Sequence, residues 1–211
     1  MRGATRRPTT SAAVPAAAAR GARALAIVLA VLTAAAPAPA APAAPARGDV
    51  EARLLKGARG PSTTEQADIA RDAPRVLIQI AGDRAAAVAL RGRAMNALAY
   101  ARTAEVHDFL ENFVIRYMPS TDRDDRQLLR RAAVSLGWQA GGRAVEVLAL
   151  LLDHADADVR SDAALALGLT RARAAEKPLR SRLEHESDAA VRAQIESQLR
   201  ALPPAAAGAK P

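Results

Sequence analysis

The chain has 211 residues, 50% of them apolar, with 30 basic and 22 acidic side chains, three histidines and no cysteine. The lack of thiols excludes a disulfide framework, a thiolate nucleophile, thiolate-bound zinc and a lipid-modified cysteine. The formal charge of +8 is no nucleic-acid footprint, because five of the excess arginines lie in residues 1–46 and the remainder carries 25 basic against 22 acidic residues.

In chain order, the first segment has the layout of a secretory signal. Arg2, Arg6, Arg7, Arg20 and Arg23 precede an uncharged run from Ala24 to Ala46, and no acidic residue interrupts it. The apolar core, Ala24 to Ala36, suits a signal peptide and falls short of the roughly 20 apolar residues that cross a bilayer. Pro37, Pro39, Pro42 and Pro45 then stop any continuing helix. Small-x-small cleavage sites end at Ala40, Ala43 and Ala46, of which Ala46 is the expected one. Residues 1–46 thus predict export to the periplasm or the medium with no lasting membrane insertion. An uncleaved anchor or a disordered Ala/Pro tail is the alternative.

Residues 47–82 predict a degenerate helical cap. Ser62-Thr-Thr-Glu65 has the spacing of a capping box, and Pro74 followed by Val76 and Ile80 suggests a second helix.

From residue 83 the sequence repeats itself. Asp156-Ala-Asp-Val-Arg160 with Ala163, Leu167 and Gly168 returns as Asp188 with Val191, Arg192, Ile195 and Leu199, a shift of 32 residues. Upstream the same frame holds Asp125, Leu128, Ala132, Leu136 and Gly137, and before that Leu90, Arg91, Ala94 and Leu98. Three apolar columns follow: Leu90/Leu128/Val159/Val191, Ala94/Ala132/Ala163/Ile195 and Leu98/Leu136/Leu167/Leu199. Each steps by four within its segment, which is one face of a helix, and the small middle residue permits close helix contact. A second set obeys the frame, with Leu110, Leu148 and Leu179 twelve residues after the last column and Val114, Leu152 and Leu183 sixteen after it. Each unit predicts a helix, a short turn marked by glycine (Gly137, Gly141, Gly142, Gly168) and a second helix. Asp125, Asp156 and Asp188 are placed to cap the first helices. Pro203-Pro204 ends the last one, leaving 203–211 as a disordered tail.

This pattern of an aspartate before a Val-Arg pair, then Ala and Ala-Leu-Gly, resembles the HEAT-like repeats of phycobilin lyases over about residues 84–202, best in 122–200. The chain departs from it at Leu129, where arginine is expected, at Ala87 in place of the leading aspartate, and in a first-to-second spacing of 38 rather than about 31 residues. The surplus is expected in the helix ending near Tyr117 and the loop Met118–Asp122. The resemblance implies an all-α fold, a right-handed α-α superhelix of about four helix pairs spanning 83–202. It says little of function.

No catalytic or cofactor site emerges. His107 is expected at the surface of a second helix, and His154 and His185 in turns; no pair has metal-ligand spacing. Arg160 and Arg192 are expected in an intramolecular ladder with neighbouring aspartates. Trp138 is expected to lie over the end of the core or, if exposed in a loop, to anchor a partner. With the second helices on the concave side, their outward positions read Asp108/Glu146/Lys177 and Glu111/Ala149/Arg180, acidic to basic along the stack. The sequence thus predicts a monomeric, non-catalytic scaffold or adaptor that binds a protein partner through Asp108, Glu111, Glu146, Lys177, Arg180 and Trp138, with no cofactor and no nucleic acid. The alternatives are an accessory enzyme or chromophore-lyase-like protein, suggested by the family name, and a nucleic-acid-binding repeat, which would need a continuous positive stripe.

Overall fold

The computed structural model describes residues 44–204. The signal-like segment up to residue 43 and the tail from residue 205 lie outside the described residues. Within them, all regular structure is helical. The helices are α1 Arg47–Leu55, α2 Thr63–Asp72, α3 Pro74–Gly82, α4 Val88–Leu98, α5 Ala104–Tyr117, α6 Arg123–Ala140, α7 Val145–Leu150, α8 Ala157–Leu169, α9 Glu176–His185 and α10 Ala189–Ala201. Short 3-10 turns at Gly141–Ala144, Leu151–Asp153 and Arg173–Ala175 flank α7 and lead into α9. No helix among the described residues is long and apolar enough to cross a membrane.

The first segment holds three helices where the sequence suggested two, because α1 carries no repeat signature. Ser62 and Glu65 form the expected capping box at α2: the Ser62 hydroxyl accepts from the Glu65 N–H at 3.3 Å and the Glu65 carboxylate accepts from the Ser62 N–H at 2.9 Å. That backbone donor, followed by Lys56 and the Ser62 hydroxyl, holds the Glu65 pKa down at about 2. Pro74 starts α3, where a missing N–H costs nothing.

The repeat frame places the core. Ala94, Ala132, Ala163, Ile195, Leu98, Leu136 and Leu167 are fully buried, as are Leu110, Val114, Leu148 and Leu179. The end of the stack is looser, with Leu183 and Leu199 only partly covered. The first helices pack in chain order, α4 on α6, α6 on α8 and α8 on α10, while α5 packs on α6, α7 lies against α6 and α8, and α9 packs on α10.

Three expectations need correction. The cap of α6 is Asp122, which accepts from the N–H groups of Asp124 and Asp125 at 2.9 Å each, while Asp125 lies in the first turn and accepts from the Ser120 hydroxyl at 2.9 Å. The surplus residues had been placed in α5 and the following loop; they also add a turn to the start of α6, which is 18 residues long against 13 for α8 and α10. Asp156 and Asp188 do cap α8 and α10.

The repeated arginines do not ladder with aspartates. Arg91 donates to the Ala81 carbonyl, Arg160 to the carbonyls of His154 and Ala155 and to the Glu186 carboxylate, and Arg192 to the carbonyls of Leu183 and Glu186. Each cation thus satisfies carbonyls at or just beyond the end of the preceding helix, where the helix dipole is negative.

Gly137 and Gly168 are not turn residues. They lie inside α6 and α8, Gly137 against the backbone of α8 and Gly168 against a side chain of α10. A β-carbon at 137 would overlap the Ala166 carbonyl oxygen and stand 2.9 Å from the carbonyl carbon and Cα, and one at 168 would collide with the Gln198 amide. An alanine normally improves an exposed helical glycine by roughly 0.5–1 kcal/mol. Here the sign should reverse: Gly137→Ala should lose about 1–3 kcal/mol in denaturant melts, and Leu136→Ala about 2–5 kcal/mol. Arg173→Ala, at an exposed side chain, should stay within about 0.5 kcal/mol. A stabilised Gly137→Ala would contradict the close packing.

Candidate functional site

The last column leucine of each first helix is followed, two residues on, by Tyr100, Trp138, Leu169 and Ala201. In the first three units this places a large apolar side chain at the carboxyl end of the helix. Leu136 faces inward, so Trp138, about 200° further round α6, faces outward. Its side chain is 44% exposed on the helix itself, neither a lid over the core nor part of a loop. Tyr100 meets it edge to face, with ring centroids 6.5 Å apart and planes at 61°. Two open grooves of about 400 and 320 Å³ adjoin the indole and share Trp138 and Leu169 between them.

Neighbouring turns bring charge to this aromatic column. Arg102 and Arg171 stand four residues after Leu98 and Leu167, and both line the larger groove. Gln139 sets the position of the first turn: its Nε2 donates to the carbonyls of Ala101 and Thr103, on either side of Arg102, at 3.4 and 3.2 Å. At the second turn Arg171 adopts φ 51°, in the left-handed region. The Thr170 hydroxyl holds this turn, donating to the Leu167 carbonyl at 2.6 Å and accepting from the Ala172 N–H at 3.2 Å.

A second cleft, of about 560 Å³, lies between the amino-terminal halves of α6 and α8, where Arg123, Arg126, Arg130 and Arg131 stand among Asp156, Asp158 and Asp162. Arg126 pairs with Asp156 at 3.3 Å, and Arg130 with Asp158 and Asp162 at 2.8 and 2.6 Å. Asp153 pairs with Arg182 at 3.2 Å. The acidic run 153–158 is therefore spent on capping and ion pairs. Among the described residues no group of three or more His, Asp or Glu side chains is placed to hold a metal ion.

The charged series on the second helices sits elsewhere. Asp108, Glu146 and Lys177 are exposed on α5, α7 and α9, Glu111 is half-buried beside His107, and Arg180 is exposed but donates to Glu176 at 2.9 Å. None of them lines either groove beside Trp138. His107 is not the surface residue expected: its side chain is 11% exposed, its Nδ1 is buried with no partner, and its Nε2 is 3.5 Å from Glu111. His154 and His185 do lie at turns, and His154 Nδ1 accepts from the Asp156 N–H at 3.0 Å.

Sequence reasoning missed Tyr100, Arg102, Gln139, Leu169 and Arg171 although the offsets of two and four from the column leucine contain four of them. It also missed Glu186. This buried carboxylate accepts from Arg160 at 2.8 and 3.0 Å, from Arg182 at 2.8 and 3.0 Å and from the Asp188 N–H at 2.9 Å, and so ties α8 to the α9–α10 turn.

No protein-family model and no curated protein matches this chain. Among solved structures, the crystal structure of an engineered protein aligns with a TM-score of 0.42 at 20% identity, over 74% of this chain and 79% of that one.

The Glu186 cluster makes stability depend on pH. Arg160 first, then the Asp188 N–H and Arg182, outweigh burial and hold the Glu186 pKa at about 2, below its ordinary 4.5. A carboxyl whose pKa falls on folding contributes fully above its unfolded pKa and loses that contribution as the pH drops through the folded one. Glu186→Gln should therefore melt well below the parent at pH 7, with the gap closing between pH 4.5 and about 2. A gap independent of pH would show that the carboxylate charge is not what matters.

Proposed function

We propose that this chain is an exported, non-catalytic scaffold, a right-handed α-α superhelix of HEAT-like repeats that docks a protein partner on the solvent-facing side of the α4, α6 and α8 layer. The observation that carries it is the exposed Trp138, flanked by the partly buried Tyr100 and Leu169 and set between two grooves on the first-helix layer. Large aromatic side chains dominate the energetics of protein interfaces, and the only tryptophan of the chain stands in solvent rather than in its core.

Helix packing supports this choice of face. The first helices pack extensively on one another, at Gly137 so closely that no β-carbon fits, while α5, α7 and α9 meet one another more sparsely, largely through 3-10 turns. A two-layer stack bends toward its more closely spaced layer, so the first helices line the inside. That moves the docking face away from Asp108, Glu111, Glu146, Lys177 and Arg180, which lie on the second helices. The non-catalytic reading is supported by the fate of the strongly shifted carboxylates: Glu65 is occupied in a helix cap and Glu186 in an ion-pair cluster.

The absence of cysteine from the chain gives a direct test. Single-cysteine variants Tyr100→Cys and Leu169→Cys, and for comparison Glu146→Cys and Lys177→Cys, are treated in intact cells with a thiol-reactive cross-linker that does not pass the cytoplasmic membrane. Reaction at any site requires export. The first pair should yield one common protein adduct and the second pair none. Adducts confined to Glu146→Cys and Lys177→Cys would restore the second-helix face, and no reaction at all would remove the exported scaffold.

A further inference from the structure

We infer that the surface around Trp138 receives an acidic peptide segment of the partner protein, with an apolar side chain against the Trp138 and Tyr100 rings and carboxylates on Arg102 and Arg171. The inference rests on the docking face proposed above and adds the chemistry of what docks there.

The first argument is electrostatic. In the cleft between α6 and α8 the arginines stand among aspartates, which pair with Arg126 and Arg130 though not with Arg123 or Arg131, and Arg160 is paired with Glu186. Around Trp138 the pattern changes. The residues lining the two grooves include Arg102 and Arg171 and no carboxylate, and among the described residues neither arginine has an ion pair. Such guanidinium groups favour carboxylates, with which they form paired hydrogen bonds. An apolar anchor between two unmatched cations fits a segment that alternates apolar and acidic side chains.

The second argument is conformational and independent of the first. Gly141 after α6 has a positive φ of 58° with ψ −140°, and Arg171 after α8 also has a positive φ, 51°. A β-carbon is disfavoured in this conformation, and glycine is the residue that adopts it freely. The chain uses glycine at one of these turns and arginine at the other, so the Arg171 side chain is kept where glycine would be the more stable choice. Backbone strain of this kind gathers at binding surfaces, where the surroundings enforce it. Here the end of α8 and the Thr170 hydroxyl, which reaches past Arg171 to the Ala172 N–H, do so.

A peptide fits better than a nucleic acid. Strand binding needs a positive track that follows successive phosphates. Along α6 the groove gives way to a cleft where Asp156, Asp158 and Asp162 are interleaved with Arg123, Arg126, Arg130 and Arg131, so the positive charge does not continue as an unbroken track.

The test selects peptides from a phage-displayed random dodecamer library against the full chain at low salt. Synthetic copies of the enriched peptides are then titrated while the emission of Trp138, the chain's sole tryptophan, is followed. The expected peptides are enriched in Asp and Glu around a large apolar residue and shift the emission. Their dissociation constants should rise about tenfold or more in the Arg102→Ala, Arg171→Gly double variant and not at all in Arg116→Ala, an exposed arginine on α5. Arg171→Gly alone should melt at or above the parent temperature while binding more weakly. Enriched peptides that are neutral or basic and still shift Trp138 would overturn the acidic inference and leave the docking face standing. If no enriched peptide shifts Trp138, both fall. Tighter competition by single-stranded oligothymidylate would replace the peptide by a nucleic acid, and a lowered melting temperature for Arg171→Gly would make that arginine structural.

Discussion

Between α6 and α8 the backbones approach until only a residue without a β-carbon fits at position 137, and this contact sets the register of the neighbouring helices. The Ala132 and Ala163 side chains keep the same interface shallow, so the leucines on either side reach the core and become fully buried. Gly168 plays a different part between α8 and α10, leaving room for the Gln198 side chain to lie across it. A close seam of this kind gains stability from dispersion contacts across interlocked helices and leaves little room for adjustment. It also fixes where the next side chain goes. Trp138 follows Gly137 on α6, and with the glycine pressed against α8 the indole is held at the edge of the seam, facing solvent.

Charge is distributed along α6 in two regimes. At its amino-terminal half arginines face the aspartates of α8, and these pairs are largely solvated and worth little individually. At its carboxyl end the acidic partners stop, while Arg102 and Arg171 from the flanking turns remain. The buried cluster at Glu186 is different again: it has five donors on one carboxylate and couples α8 to the last turn of the stack, so removing one member leaves an unmatched buried charge.

Much of the fold was legible because its signal is periodic. The steps of four in the Leu98, Leu136 and Leu167 columns, and the second set at Leu110, Leu148 and Leu179, are local patterns that burial translates directly into structure. The misses have physical causes. The helix α1 belongs to no repeat, and Asp122 supersedes Asp125 as a cap because α6 gains a turn that periodicity cannot show. Gly137 after Leu136 has the sequence context of a helix stop, yet it serves a close approach, and both uses favour the same residue. The arginine partners depended on which turn carbonyls tertiary packing brought within reach. Of the candidate site, Trp138 was visible by its rarity. Its companions Tyr100, Leu169, Arg102 and Arg171 were hidden because offsets of two and four from the core column looked like ordinary exposed positions.

Collisional quenching of Trp138 tests most directly whether its surface is both open and positively charged. In matched ionic strength, and with each quenching constant normalised to that of free N-acetyltryptophanamide, iodide should quench the emission more strongly than caesium, since the anion is drawn toward Arg102 and Arg171 with no carboxylate beside them, and the normalised difference should vanish in the Arg102→Ala, Arg171→Gly variant. Quenching by caesium equal to or greater than that by iodide, or protection from both ions, would contradict an exposed cationic docking surface around the indole.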